Sequence, residues 1–337
     1  MVTTAFIGNT DTRSRLRSLA QDDHLHPCLL FEGPDGVGKA ATALWLAAVI
    51  NCEQAPVDEP CGACWSCRQI PKGQHPDVIC IGPDPKKHTR IISVEQARDL
   101  LSQLVLRPFH ARMRLVIIDP ADAMTPPAAN ALLKTFEEPP DATGFVLVTS
   151  AVGSLLPTVR SRSQRIRFAP VSVASLADWL RERGEADAEE VARLAEGCPG
   201  RALGLSVQEA GAWRESRDAL ITALEADVGE RFAFAEKLAR GDRSAWTQRV
   251  EFTLEAVACL LRDALASLRD GPLRYNTDRP ELVRAWADRL GHDGIAGVAS
   301  AVGMARTNLE HNVNGRLLTD GLLAQLNRAL RPSGRLR

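Results

Sequence analysis

The sequence has little that would tie it to a membrane or carry it out of the cell. Its longest nearly apolar run, Ala40 to Ile50, falls far short of the ~20 residues a helix needs to cross a bilayer. The amino-terminal Met1-Val-Thr-Thr-Ala-Phe6 has no basic start leading into an apolar stretch, so no secretory leader is expected and the chain reads as cytoplasmic. Net charge is nearly absent too. Forty-one basic residues stand against forty-two acidic ones, a formal charge of −1, so no global field draws the chain to nucleic acid or to an anionic surface. Any contact with DNA must come from a local patch or from a larger assembly. Only six of the basic residues are lysine, which by itself excludes nothing. What is present is ordinary for a globular protein: 337 residues, 45% hydrophobic and 25% charged, enough for two or three domains with cores of their own. At this size neither disulfides nor metals are needed to hold the whole chain together.

The first half alternates short apolar runs with helical periods, the pattern of a parallel sheet covered on both faces. Cys28–Glu32, Val78–Ile81, Leu115–Ile118 and Phe145–Thr149 read as buried strands, with a last strand near Arg165 to Phe168. Ser93-Val-Glu-Gln96 has the form of a capping box ahead of a helix that ends before Pro108. Thr125-Pro126 reads as an N-cap with proline in the first turn of a helix that stops at Pro139-Pro140. Beyond residue 168 strand-like runs vanish. Short helices are expected at Leu176 to Arg183, Ala188 to Glu196 and Arg201 to Glu209. An Ala/Leu/Arg-rich helical region follows, with breaks near Gly229, Gly241, Gly271-Pro272 and Gly291. The expected division is an α/β nucleotide-binding domain at 1–168 carrying a cysteine insert at 52–67, a helical lid at 169–208 and a helical bundle at 209–337.

Gly33-Pro-Asp-Gly36-Val-Gly38-Lys39-Ala40 follows the first strand and opens a helix, as a P-loop does: backbone N–H groups cradle phosphates and the lysine reaches their oxygens. Ala40 breaks the pattern, because a Ser or Thr hydroxyl normally binds Mg²⁺ there. The phosphate cradle is kept and a metal ligand is gone, so the sequence supports nucleotide binding and an empty cradle equally. Leu115-Val-Ile-Ile-Asp119 has the form of a Walker B strand, whose carboxylate reaches Mg²⁺. In hydrolysing relatives a glutamate comes next and polarises the attacking water. Here that position is Pro120. Asp122 is a weak substitute and reads better as a solvated carboxylate at a helix entry.

Cys52, Cys61, Cys64 and Cys67 lie within sixteen residues of a cytosolic chain, a spacing that argues for a metal rather than disulfides. Four thiolates complete a tetrahedral zinc site with no position left open for catalysis. A redox pair and incidental cysteines are the alternatives. Trp65 and Arg68 offer a thin basis for reading nucleic acid at this insert. Cys28, Cys80, Cys198 and Cys259 sit in apolar contexts and are expected in or near the core. Arg160-Ser-Arg162-Ser-Gln-Arg165-Ile-Arg167 is the densest basic cluster. A solvated surface is the default for such a run. Its place after the fourth strand, away from the chain's own P-loop, also suits an arginine that reaches a neighbouring subunit's γ-phosphate.

Together these residues resemble the bacterial DNA polymerase III clamp-loader subunits of the AAA+ superfamily. The resemblance rests on the four-cysteine insert after the P-loop helix, on Asn130-Ala-Leu-Leu-Lys-Thr-Phe-Glu-Glu-Pro-Pro140, and on Leu155-Leu-Pro-Thr-Val-Arg-Ser-Arg-Ser163, where Ser163 replaces the Cys of a Ser-Arg-Cys motif. Asn312-Val-Asn-Gly-Arg-Leu-Leu318 is similar to an element of the family's collar helices. That family has ATP-hydrolysing γ/τ motors and a δ′ branch that hydrolyses little or nothing. Ala40, Pro120 and Gly197-Cys-Pro-Gly200-Arg201, in which the usual sensor arginine is shifted by one place, side with the δ′ branch. The alternative is a γ/τ-type motor. The resemblance implies Arg162 as an arginine finger acting in trans and Gly33, Gly36, Gly38, Lys39, Ala40, Asp119 and Arg201 as a nucleotide site, now doubtful for hydrolysis. It also implies structural zinc, a sensor at Thr149 or Ser150, and an assembly with γ/τ and δ subunits that handles a sliding clamp and primer–template DNA.

Overall fold

Five short strands run through the first part of the chain: four are nearly continuous apolar segments that can be covered on both faces, and the fifth, Gln-Arg-Ile-Arg at 164–167, buries only Ile166. A computed structural model describes residues 6–84, 90–205, 207–310 and 314–330. The N-terminal stretch read for a leader lies outside them except for Phe6, as do Asn312 and Val313 of the C-terminal motif. Two compact units divide the chain at Gly204 and Leu205.

In the first unit, helix α1 (Thr10–Gln21) precedes strand β1 (Cys28–Glu32), α2 (Lys39–Ile50), α3 (Trp65–Gln69) and β2 (Val78–Ile81). Then come α4 (Val94–Leu104), β3 (Arg114–Ile118), α5 (Pro126–Glu137), β4 (Thr143–Thr149), α6 (Pro157–Arg160) and β5 (Gln164–Arg167). Three short helices close the unit: α7 (Val173–Arg181), α8 (Ala188–Leu194) and α9 (Pro199–Gly204). The sheet order is β2-β3-β4-β1-β5 and every pairing is parallel. Successive side chains alternate between two cores. Leu29, Phe31, Leu115, Ile117, Val146 and Val148 pack with Trp45, Leu46 and Val49 of α2. Cys28, Leu30, Val116, Ile118, Phe145 and Leu147 pack with Leu100 and Leu104 of α4 and Leu132 and Phe136 of α5.

The expected caps form. Ser93 N donates to Gln96 Oε1 at 3.0 Å while Gln96 N donates to Ser93 Oγ at 3.5 Å, and Ala128 N donates to Thr125 Oγ1 at 3.4 Å. Two expectations are corrected. The helix read from Arg201 to Glu209 is two helices: α9 starts earlier, at Pro199, whose fixed φ suits a helix entry, and α10 begins at Val207. Cys80 is exposed, not in or near the core. It lies on β2, an edge strand paired with a neighbour on one side only.

The second unit is helical: α10 (Val207–Glu225), α11 (Val228–Leu238), α12 (Arg243–Ser267), α13 (Pro280–Glu310) and α14 (Gly315–Leu330). The break expected near Gly229 falls two residues earlier, because Asp227 caps α11 by accepting Glu230 N at 2.9 Å. Gly291 kinks α13 at φ 57° rather than ending it. Leu254, Val257, Leu260, Val283, Trp286 and Leu326 lie in the unit's own core.

Candidate functional site

Strand β1, buried along its whole length, delivers the chain to Gly33, and the loop that follows hands it to α2 at Lys39. Lys39 is only 5% exposed. Its Nζ donates to the Gly33 carbonyl at 2.7 Å and to the Pro34 carbonyl at 2.6 Å. The ammonium that would meet phosphate oxygens is thus held by its own loop. Burial holds its pKa below the ordinary lysine value, against the opposing charges of Asp35 and Asp119. Ala40 offers no hydroxyl, and the nearby Thr42 donates its own to the Gly38 carbonyl at 2.9 Å.

The start of α9 lies directly on this loop. Gly200 N donates to Gly36 O at 2.7 Å. Gly36 takes φ +73°, and a Cβ there would lie 2.6 Å from Arg201 N, so only glycine fits both the backbone and the contact. The Arg201 guanidinium meets Glu196 in the preceding turn, Nη1 to Oε2 at 3.0 Å.

Asp119 stands at the end of β3, within reach of the same charges. Partial burial, with the nearby Asp35 and Asp122, raises its pKa against the pull of Lys39. Pro120 occupies the water-polarising position as read. Asp122 differs from expectation. It is not a solvated helix-entry carboxylate but accepts a hydrogen bond from Thr149 Oγ1 at 2.5 Å, and Thr149 in turn accepts from Ala151 N at 3.0 Å. Thr149 is fully buried at the end of β4, and Ser150 is exposed. Thr149 is thus tied to Asp122, whose charge also acts on Asp119 and Lys39.

Arg162 lies at the other end of the sheet. Leu29 pairs with Gln164 and Glu32 with Arg167, so the two strands run in parallel from Arg162's end toward the P-loop. At ~3.3 Å per strand residue this puts the backbone of Arg162 on the order of 15 Å from the start of the loop. The turn that carries it is tied internally: Arg162 N donates to Val159 O at 3.2 Å, Ser161 Oγ to Thr158 O at 3.1 Å, and Ser163 Oγ to Val159 O at 2.7 Å. The guanidinium of Arg162 meets Glu137 at the end of α5, with Nε 2.7 Å from Oε1. Arg165 and Arg167 do not reach outward alone. Both meet Glu32, Nη2 of Arg165 at 2.6 Å and Nε of Arg167 at 2.8 Å.

The four cysteines converge. Cys52 follows α2 directly, Cys64 caps α3, and all four sulfurs lie within 4.8 Å of one another. Cys64 N donates to Cys61 Sγ at 3.3 Å, and Cys67 N donates to Cys64 Sγ at 3.4 Å. Backbone N–H groups of Cys64 and Ala63 bring the Cys61 thiol down to about 6. Four ligands about 2.3 Å from a tetrahedral centre sit ~3.8 Å apart, and the Cys61 and Cys67 sulfurs are 4.0 Å apart. The cluster can hold a metal ion. Trp65 packs against the imidazoles of His75 and His110 at 5.1 and 4.7 Å between ring centres, which makes it more a packing residue than a free stacking platform.

Sequence reasoning missed the partners of these groups: Glu137 for Arg162, Glu32 for two arginines, and Gly200 on the P-loop. Each is far away in the chain. The one sequence signal was the Glu137-Glu138 pair at the end of α5.

A P-loop strand inside an all-parallel sheet, with an aspartate-ended strand two places away, is the P-loop fold of the AAA+ class. A family model described as DNA polymerase III, delta subunit matches residues 8–172. The DNA polymerase III subunit delta′ of Escherichia coli is 30% identical over 317 residues, covering 91% of this chain and 90% of that protein. The corresponding Pseudomonas aeruginosa subunit is 38% identical over 192 residues, 55% of this chain and 56% of that one. The E. coli subunit tau is 35% identical over 192 residues, 55% of this chain but 29% of tau. Among solved structures, a gamma subunit-related protein of Thermotoga maritima superposes with TM-score 0.44 at 18% identity, covering 95% of this chain and 100% of that one. The chain belongs to the DNA polymerase III δ′ family, homologous to the γ/τ subunits. Among the described residues no helix is long and apolar enough to cross a membrane.

Proposed function

We propose that the chain is a cytoplasmic clamp-loader subunit of the δ′ type that hydrolyses little or no ATP and supplies Arg162 to the ATP site of a neighbouring γ/τ subunit. The observation that carries this reading is the placement of Arg162. It lies at the opposite end of the parallel strands from Lys39, away from the chain's own P-loop, and this separation supports a role toward a phosphate held by another chain. The occupied state of Lys39, the missing hydroxyl at Ala40, Pro120 and the cover of α9 over Gly36 support the other half of the proposal, a site of its own that turns over poorly. Residues Gly33, Gly36, Gly38, Lys39, Asp119 and Arg201 are then the remnant of a nucleotide site, with Thr149 at the sensor position. The short helices act as a lid, the second unit as a collar toward γ/τ and δ, and sliding clamp and primer–template DNA are met inside the assembly. A near-neutral chain suits that arrangement, since backbone contacts to DNA can be shared among subunits.

Zinc is the metal proposed for Cys52, Cys61, Cys64 and Cys67, as a purely structural cross-link between the end of α2 and α3. Four thiolates would fill a tetrahedral ion and leave no open coordination position.

The test is hydrolysis by the reconstituted assembly. Arg162→Ala is expected to lower clamp- and DNA-stimulated ATP turnover at the adjacent site by at least about 10³-fold, the low end for such fingers. Normal turnover by that assembly would remove the finger assignment. Hydrolysis by the isolated chain, lost in Lys39→Ala, would instead favour a γ/τ-type motor.

A further inference from the structure

Glu137 is in an awkward place for a carboxylate. It is the last residue of α5, where the unpaired carbonyls of a helix end already concentrate negative charge. The cation that answers it comes from another element. Arg162 Nε lies 2.7 Å from Glu137 Oε1. That nitrogen is buried, and the carboxylate sits off its N–H axis, so the contact is an ion pair rather than a linear hydrogen bond. Arg162 Nη1 also donates to Thr158 O at 3.2 Å. The guanidinium is therefore gripped at its root and along one side. Among the described residues its Nη2 takes no partner, and the side chain keeps 31% of its surface exposed.

A surface arginine ordinarily samples many rotamers, and ordering it at the moment of reaction slows the step that needs it. Here a carboxylate on a rigid helix packed into the core does the ordering beforehand. The turn beneath is fixed by hydrogen bonds from Ser161 and Ser163. We propose that Glu137 is the positioning residue for Arg162, holding the root of its guanidinium so that the tip faces the phosphate of a neighbouring subunit. This rests on the reading of Arg162 as a group acting in trans. Glu137 touches no nucleotide itself. Its effect belongs in the rate of the chemical step and not in ATP binding.

The experiment uses the full chain assembled with an ATP-hydrolysing γ/τ partner, with ATP turnover measured for Glu137→Ala, Glu137→Gln, Glu137→Asp, Arg162→Ala and the Glu137→Ala/Arg162→Ala pair. Glu137→Ala and Glu137→Gln are expected to lower kcat about tenfold with KM for ATP changed less than twofold. Glu137→Asp, which keeps the charge on a shorter stem, is expected to recover part of the loss. The double variant should be no slower than Arg162→Ala alone, since two residues acting through one group do not add. If Arg162→Ala collapses turnover while Glu137→Ala and Glu137→Gln leave it unchanged or raise it, the positioning role is wrong and the finger stands. Losses that add in the double variant also overturn it. If Arg162→Ala itself has no effect, the trans reading falls first and this proposal with it.

Discussion

Some single residues hold loops in place by collecting backbone N–H groups, and Asp77 does this for the approach to β3. It is 1% exposed. Its carboxylate accepts from Phe109 N at 2.8 Å, His110 N at 2.7 Å and Ala111 N at 2.9 Å, with Arg114 Nη2 3.6 Å away. Burial pushes its pKa up, but the amide donors of His110, Phe109 and Ala111, followed by Arg114, outweigh it and leave the carboxyl below the usual range. A depressed carboxylate stabilises the fold fully above its unfolded pKa of ~3.9, and that contribution is lost as pH falls further through the native value. Asp77→Asn should therefore cost about 2–4 kcal/mol at pH 7, measured by urea unfolding, with the gap to the native chain shrinking as pH drops below about 4. An equal gap at pH 3 and pH 7 would contradict this account. The same scale shows what could be read from the sequence alone. The four cysteines announced themselves because their spacing is local. Asp77, Glu32 and Glu137 did not, because a carboxylate's meaning lies in donors that the fold brings from dozens of residues away.

At the scale of elements the strands and caps were legible. Four apolar runs, Ser93 before Gln96, and Thr125 before two prolines are local patterns that tertiary structure had no cause to override. The contact of α9 with the P-loop was not, although both partners had been singled out. Gly197-Cys-Pro-Gly200-Arg201 reads as a displaced sensor, but its placement depends on Gly36 having no Cβ and on Gly200 having none either. A Cβ on Gly200 would lie 2.9 Å from Gly36 O, tighter than real contacts allow. Gly200→Ala should therefore push α9 off the loop and open the cradle around Lys39. If α9 competes with a phosphate for this space, apparent affinity scales with the open fraction. The isolated Gly200→Ala chain is then expected to bind a non-hydrolysable ATP analogue several-fold more tightly than the native chain, by calorimetry. Equal affinity would mean that α9 is no barrier and that the carbonyl-bound state of Lys39 alone sets access.

The whole molecule joins a unit built on a parallel sheet to a unit of helices with its own core, and it places the cysteine cluster within the first of them. That arrangement makes metal removal a local test. The insert between α2 and α3 has few apolar side chains, and its ties to the rest are polar: Trp45 Nε1 donates to Glu59 Oε2 at 2.6 Å, Gln21 Nε2 to Val57 O at 3.1 Å, and Trp65 N to Glu53 Oε1 at 3.1 Å. Without a metal, four sulfurs within 4.8 Å have only weak hydrogen bonds to hold them, and the binding free energy that keeps them together is lost. A strong chelator should therefore raise amide exchange through residues 52–69, while α12 and α13 in the second unit keep their protection. Because the ligands are thiolates, chelation should also become easier as pH falls and protons compete for sulfur. Exchange measured by mass spectrometry, with metal content followed in parallel, reads both effects. Loss of protection in the second unit at the same chelator concentration would show that the cluster supports the whole chain and not one insert. No change within residues 52–69 would show that packing, and not metal, holds the sulfurs together.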